Sequence, residues 1–112
     1  MNALIEERLR ACISACNRCA VACEACAAAC LEENDIEMMR NCIQLDRQCA
    51  AICRTTAQVL SLKGVFAEDL CALCLKICEA CAEECWRHAH DHCRECAFEC
   101  RACADECRRI AA

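Results

Sequence analysis

Cysteine residues recur along this chain at the spacing that an amphipathic helix gives to its buried hydrophobic positions, with Ala, Glu and Arg common between them. In the stretch CISACNRCAVACEACAAAC, residues 12–30, successive cysteines are separated by alternating steps of four and three. A helix returns a side chain to the same face at these steps, because one turn takes about 3.6 residues. The rhythm repeats over 71–85 and 93–107, and a sparser form occupies 42–53. The pattern predicts four helices with thiols on the face that usually carries Leu or Ile.

Capping residues indicate where the first two helices begin and end. Asn2 is expected to cap the first helix, which should end near Glu33. Asn34 followed three residues later by Glu37 is typical of a capping box and predicts the start of the second helix. Gly64 is expected at the position just beyond its end, where glycine is favoured.

A break in the cysteine rhythm separates the last two helices. The third helix is expected to begin near Phe66 and to include Cys85. The next cysteine is Cys93, eight residues on, which does not fit one uninterrupted face. A turn is therefore predicted within residues 88–91, with Asp91 capping a fourth helix that runs to the C-terminus.

Short connections between four helices favour antiparallel neighbours. We therefore expect one all-α domain over residues 1–112, an antiparallel up-down-up-down four-helix bundle with a Cys-lined core. Its two ends differ. One, here called the histidine end, gathers Met38, Met39, His88, His90 and His92. The opposite end, here called the hydrocarbon end, gathers Leu4, Ile5, Leu9, Leu60, Leu62, Val65, Phe66 and Ile110.

Composition excludes several classes of protein. The net charge of −5 and the scattered basic residues argue against a nucleic-acid partner. No uncharged apolar run approaches the roughly 18 residues of a membrane-spanning helix, so no membrane partner is expected. Glu6 and Glu7 lie where a signal peptide would carry basic residues and an apolar core, which predicts a cytoplasmic protein.

The 19 cysteines are far more than an ordinary chain contains. Disulfides are disfavoured because the count is odd, and because Cβ atoms of helix neighbours lie about 5–6 Å apart, whereas a disulfide needs about 3.5–4.5 Å. The cytosol also keeps thiols reduced. Metal binding is the preferred interpretation.

Thiolates are soft ligands that select Cu(I), zinc or iron–sulfur clusters. Iron–sulfur motifs wrap irregular backbone around a cluster, whereas these cysteines lie in uninterrupted helix. A zinc ion held by four thiolates leaves a charge of about −2, which is costly to bury repeatedly. Cu(I) bridged by shared thiolates approaches neutrality, at roughly one copper per cysteine.

Copper storage or buffering is therefore the leading hypothesis for the function. A zinc or cadmium thiolate buffer and a thiol-based redox or iron–sulfur protein remain alternatives. The plainest alternative is that the cysteines bind nothing and only fill the core as small hydrophobic residues. No catalytic cysteine with a histidine partner stands out, so no enzyme is expected.

The candidate metal ligands are all the cysteines: Cys12, Cys16, Cys19, Cys23, Cys26, Cys30, Cys42, Cys49, Cys53, Cys71, Cys74, Cys78, Cys81, Cys85, Cys93, Cys96, Cys100, Cys103 and Cys107. Residues that could receive arriving metal are His88, His92, His90, Met38 and Met39, with His88 and His92 favoured as nearest to the cysteine face. Asp46 also falls in the cysteine rhythm, as a weaker ligand candidate. A small rotation of its helix would place Leu45 inside and Asp46 at the edge, and this arrangement is preferred.

The repeated Cys-x3-Cys pairs on four helices resemble the bacterial copper storage protein family, over Cys12 to Cys107. The resemblance implies a Cu(I)-filled bundle with all nineteen cysteines as ligands, and histidine and methionine near an open end assisting metal uptake. It also implies the cytosolic kind, which forms tetramers. The second helix departs from the full cysteine pattern at Asp46 and Thr56.

Large apolar residues outside the cysteine face suggest where copies of the chain would meet. We expect a homo-oligomer that uses the second and third helices, because contiguous apolar patches mark interfaces. The residues concerned are Ile43, Val59, Leu73, Leu75, Ile77 and Phe98.

Overall fold

The computed structural model of the protein describes residues 3–111. Four helices account for most of that range: α1 (Ala3–Cys30), α2 (Ile36–Ser61), α3 (Ala67–Trp86) and α4 (Asp91–Ile110). Residues 3–111 contain no strand, which confirms the all-α prediction. Among the same residues, no helix has the length and apolar character needed to cross a bilayer.

The four helices form an elongated antiparallel bundle of 50 × 19 × 17 Å. Each helix packs against its two sequence neighbours around a square, with α4 closing on α1. The sulfurs show the antiparallel order of α1 and α4. Cys12 and Cys107 lie 3.8 Å apart at one end, whereas Cys26 and Cys93 lie 3.9 Å apart towards the other. The predicted up-down-up-down topology is confirmed.

Sulfur replaces hydrocarbon in the centre of the bundle. All nineteen cysteine side chains, here called the thiol core, have 0% exposure. Alanines flank them at buried positions and let the helices approach closely: Ala15, Ala20, Ala27, Ala50, Ala57, Ala82, Ala97 and Ala104. Met39 and Leu60 are the large hydrocarbon-rich side chains that are fully buried with them, one near each end. The inner surface is thus available for ligand chemistry along most of its length.

Three helix boundaries differ from the sequence prediction. Helix α1 ends at Cys30, three residues before Glu33. Asp35 rather than Asn34 is the N-cap of α2, and its side chain makes no capping hydrogen bond. His90 is the N-cap of α4, and Asp91 is its first helical residue. The turns at the histidine end therefore carry Glu33, Asp35 and His90 outside the helices, where these side chains contact one another. The predicted cap Asn2 lies outside the described residues.

The end of α2 corrects the role predicted for Gly64. Lys63, with φ of 56°, takes the left-handed conformation expected of the glycine. The Lys63 amide donates to the Leu60 carbonyl at 3.1 Å, and the Gly64 amide donates to the Val59 carbonyl at 3.3 Å. These two bonds define a Schellman motif in which Lys63 is C′ and Gly64 follows it.

The hydrocarbon end is less enclosed than the sequence suggested. Leu60 is buried, and Leu9 and Ile110 pack partly against the thiol core. The other five residues assigned to this end are exposed by 43–90%: Leu4, Ile5, Leu62, Val65 and Phe66. Of the eight predicted side chains, three therefore pack against the thiol core at this end.

Candidate metal centre

The sulfur atoms of the thiol core touch one another along the bundle axis. Pairs one helical turn apart, such as Cys19–Cys23 and Cys74–Cys78, have sulfurs 4.0 and 3.8 Å apart. Sulfurs on different helices come as close as 3.5 Å. Steps no longer than 4.8 Å join sulfurs from Cys12 at the hydrocarbon end to Cys30 at the histidine end. The core is therefore a continuous column of ligand atoms.

Sulfurs in this column form overlapping sets of four. One set is Cys19, Cys23, Cys49 and Cys100, whose sulfurs all lie within 4.8 Å of one another. In a tetrahedral zinc–thiolate site, a zinc–sulfur bond of about 2.3 Å places the sulfurs about 3.8 Å from one another. One such set could therefore hold zinc. However, Cys19, Cys23 and Cys100 each belong to a second set as well. Shared sulfurs favour bridging thiolates over a row of separate four-thiolate sites.

Burial favours the protonated form of the thiols at the histidine end of the core. The pKa of Cys30 is raised to about 12, first by burial and then by the negative charge that neighbouring Cys42 would carry. Burial is also the first cause of the raised pKa of Cys93. All nineteen cysteines are free thiols. A metal ion that binds these thiols must displace their protons, and a protonated thiol is neutral enough to pack in an apolar interior.

Asp46 lies inside the thiol core rather than at its edge. Its carboxyl group has 0% exposure, whereas Leu45 is half-buried beside the core, so the preferred sequence prediction was wrong. Its Oδ1 accepts from the thiols of three cysteines, each at 3.3 Å: Cys81, Cys85 and Cys96. Burial, followed by the charges that Cys96 and Cys42 would carry, raises the pKa of Asp46 to about 8. The carboxyl group is thus placed among sulfurs of α2, α3 and α4, where it could join them in binding a metal ion.

Thr56 is the second residue that stands in place of a cysteine on the inner face of α2. It is fully buried, and its hydroxyl is the one buried side-chain oxygen or nitrogen within the described residues that lacks a hydrogen-bond partner. Hard hydroxyl oxygen is a poor match for soft thiophilic ions. The row of cysteines on the inner face of α2 is therefore interrupted twice, by acidic Asp46 and by neutral Thr56.

His92 is the histidine that the structure brings to the thiol core. Its Nδ1 lies 3.5 Å from the sulfurs of both Cys26 and Cys93, and 3.9 Å from that of Cys30. Its other nitrogen, Nε2, lies 2.8 Å from a carboxylate oxygen of Glu33. The imidazole therefore stands between the outermost sulfurs and the rim of the bundle.

The other candidates for receiving metal divide between the core and the surface. His88 Nε2 lies 2.9 Å from Glu84, whose second oxygen accepts from Arg87. Met39 is buried with the cysteines, whereas Met38 is 69% exposed.

His90 lies outside His92, with the two rings stacked at 5.3 Å between centroids. Its ring nitrogens face carboxylates, Nδ1 towards Glu33 at 3.1 Å and Nε2 towards Asp35 at 3.5 Å. The sequence prediction included neither Glu33 nor Glu84 in the site, and both carboxylates hold imidazoles there.

A helical bundle whose axis is a continuous column of reduced thiols defines a class of metal-storing thiolate proteins. The chain belongs to the copper storage protein family, whose sequence model matches residues 5–112. No curated protein matches the chain significantly.

Solved structures of copper storage proteins share the fold. The Cu(I)-bound copper storage protein BsCsp3 of Bacillus subtilis is 46% identical, with a TM-score of 0.90 over 94% of this chain and 99% of that one. A cytosolic copper storage protein from Streptomyces lividans, solved during copper loading with five coppers, is 39% identical. Its TM-score is 0.94 over 97% of this chain and 96% of that one. A further structure of Ccsp from Streptomyces lividans, loaded with 10 copper equivalents, is 41% identical, with a TM-score of 0.90 over 93% and 83% of the two chains.

Proposed function

We propose that this protein stores Cu(I) in the cytoplasm on the thiolates of its nineteen buried cysteines, with no catalytic step. The observation that carries the proposal is the sharing of sulfurs between overlapping sets of four. Shared sulfurs suit Cu(I), which binds two or three thiolates and tolerates bridging. The cytoplasmic assignment rests on the similar cytosolic protein from Streptomyces lividans.

Charge neutrality sets the expected capacity. Each arriving Cu(I) replaces one thiol proton, so that one positive charge enters and one leaves. A core filled in this way gains no net charge, whereas each isolated zinc site with four thiolates would add about −2. We infer roughly one copper per cysteine, on the order of 15–20 per chain, because unpaired buried charge is costly.

All the cysteines are proposed as ligands, with Asp46 as a weaker one at the thiols that it contacts. His92 is proposed as the residue that receives arriving copper, and buried Met39 is a second soft group at the same end. His88 and His90 are proposed to support this route from positions beside it. Exposed Met38 would meet copper only at the surface.

An anaerobic titration of the reduced protein with Cu(I), in the presence of excess zinc, tests the function. We expect zinc to be displaced and the copper-dependent luminescence of a Cu(I)–thiolate cluster to rise until about 15–20 ions are bound per chain. Saturation at four or five ions, or zinc retained against Cu(I), would instead support isolated tetrahedral sites. Asp69→Asn, an exposed change on α3, is a matched control that should leave the end point unaltered.

We also propose that the chain forms a homo-oligomer, a tetramer by resemblance to the cytosolic members of the family. Leu73 is 46% exposed and Phe98 69% exposed, both outside the thiol core. The other residues predicted at this surface, Ile43, Val59, Leu75 and Ile77, are half-buried. Exposed apolar surface of this kind is expected to be covered by a second copy. Sedimentation velocity at micromolar concentration should therefore give a mass above that of one chain, and a purely monomeric boundary would refute the proposal.

A further inference from the structure

The turns at the histidine end are joined by a chain of contacts that runs from the surface to the thiol core. Glu33 lies in the α1–α2 turn, and its Oε2 lies 2.8 Å from His92 Nε2 and 3.1 Å from His90 Nδ1. The other ring nitrogen of His90, Nε2, lies 3.5 Å from a carboxylate oxygen of Asp35. The Glu33 carboxylate therefore joins the turn before α2 to the start of α4.

The orientation of His92 follows from these contacts. A neutral imidazole has one N–H donor and one acceptor nitrogen. A carboxylate can only accept, so the nitrogen facing Glu33 must carry the proton. The unprotonated Nδ1 is then the nitrogen that faces the sulfurs of Cys26, Cys30 and Cys93 at 3.5, 3.9 and 3.5 Å. Only the unprotonated nitrogen has a lone pair to offer an ion.

We propose that Glu33 is a positioning residue, which holds the His92 ring so that the Nδ1 lone pair faces the outermost thiols of the core. The inference rests on the proposed storage function and adds the residue that prepares the receiving imidazole. Stacked His90 restricts both Glu33 and His92 from the solvent side. A carboxylate behind a metal-binding imidazole fixes its tautomer and ring orientation, and its loss typically costs about 10–100-fold in metal affinity or activity.

The nearest comparison within the chain is Glu84, which holds His88 Nε2 in the same manner at 2.9 Å. The described contacts of His88 include no sulfur. Glu33 is thus the carboxylate whose imidazole partner reaches the thiols, and its removal should act on the first step of loading rather than on the number of sites.

The experiment compares Glu33→Leu and Glu33→Gln with the wild-type protein, and uses Glu32→Leu, an exposed neighbour, as the matched control. Nitrogen-15 NMR of the reduced, metal-free protein should give a low-field Nε2–H signal for His92, protected from exchange with water by Glu33. We expect this signal in the wild type and in Glu32→Leu, and its loss in Glu33→Leu. The glutamine variant keeps an acceptor oxygen and should retain most of the signal.

Stopped-flow loading with Cu(I) provides the second measurement. Glu33→Leu should load about tenfold more slowly at unchanged copper capacity and unchanged helical circular dichroism. Retention of the Nε2–H signal in Glu33→Leu, or its loading at the wild-type rate, would overturn the positioning role. Failure of the storage function is distinguishable, because a low copper capacity would appear in the wild type itself while the NMR signal still reports whether Glu33 holds the ring.

Discussion

The reduced, metal-free Asp46→Asn variant is expected to gain stability over the wild type as the pH is raised from about 4 to about 8. The ordinary pKa of an aspartate is 3.8, and burial raises that of Asp46 to about 8 in the folded protein. Above 3.8 the unfolded chain ionises freely, whereas the folded chain keeps the proton until about pH 8. The stability present below pH 3.8 is therefore lost progressively as the pH rises through this window.

Urea unfolding at a series of pH values, under anaerobic and reducing conditions, measures the difference between the two proteins. The variant lacks the ionisable group, so the difference should widen by a few kcal/mol across the window, in proportion to the pKa shift. Cysteine ionisation in the unfolded chain affects both proteins equally. Asp69→Asn, which removes an exposed carboxylate, should produce a much smaller change. A difference for Asp46→Asn that stays constant from pH 4 to pH 8 would mean that its carboxyl group is charged in the folded core.

The second large effect is expected in the rate at which copper enters and leaves. His92→Ala should slow both loading and chelator-driven removal about tenfold, because the arriving ion loses the only imidazole nitrogen that contacts the thiols within the described residues. His88→Ala should have a smaller effect, since His88 is held by Glu84 beside the route. The double variant should be the slowest, and the capacity should remain nearly unchanged in all three.

A variant at the opposite end provides the control for this prediction. Leu60 is 1% exposed at the hydrocarbon end, and Leu60→Ala should cost about 2–5 kcal/mol of stability through the cavity that it leaves. Its copper exchange should keep the wild-type rate. Wild-type exchange in the histidine variants, combined with altered exchange in Leu60→Ala, would place the route for copper at the hydrocarbon end.

The fold was predictable from the sequence because the cysteine rhythm is a helical rhythm. The spacing of cysteines is strict enough to predict four helices, and the short connections determine their antiparallel order. The ends of the helices were less predictable. Glycine is the usual left-handed residue after a helix, yet Lys63 takes that conformation and Gly64 follows it.

The burial of the cysteine sulfurs was predictable from the sequence, whereas the positions of the Asp46 and Glu33 carboxylates were not. Asp46 is stabilised inside by thiols that come from α3 and α4, and the pattern of α2 alone contains no sign of these donors. The contact of Glu33 with His92 joins the α1–α2 turn to the start of α4, across 59 residues of sequence. Helical periodicity carries no information about such contacts, because they depend on how the turns meet once the bundle has formed.

The shape of the thiol core has a consequence for the order in which ions are handled. The bundle is 50 Å long and 19 Å wide, and its sulfurs run along the axis from the histidine end to Cys12. If ions enter and leave only at the histidine end, as we propose, the last ion to arrive is the first to leave. Ions near Cys12 would then be the oldest in the protein, and their residence would be governed by their depth in the column more than by the strength of their own bonds.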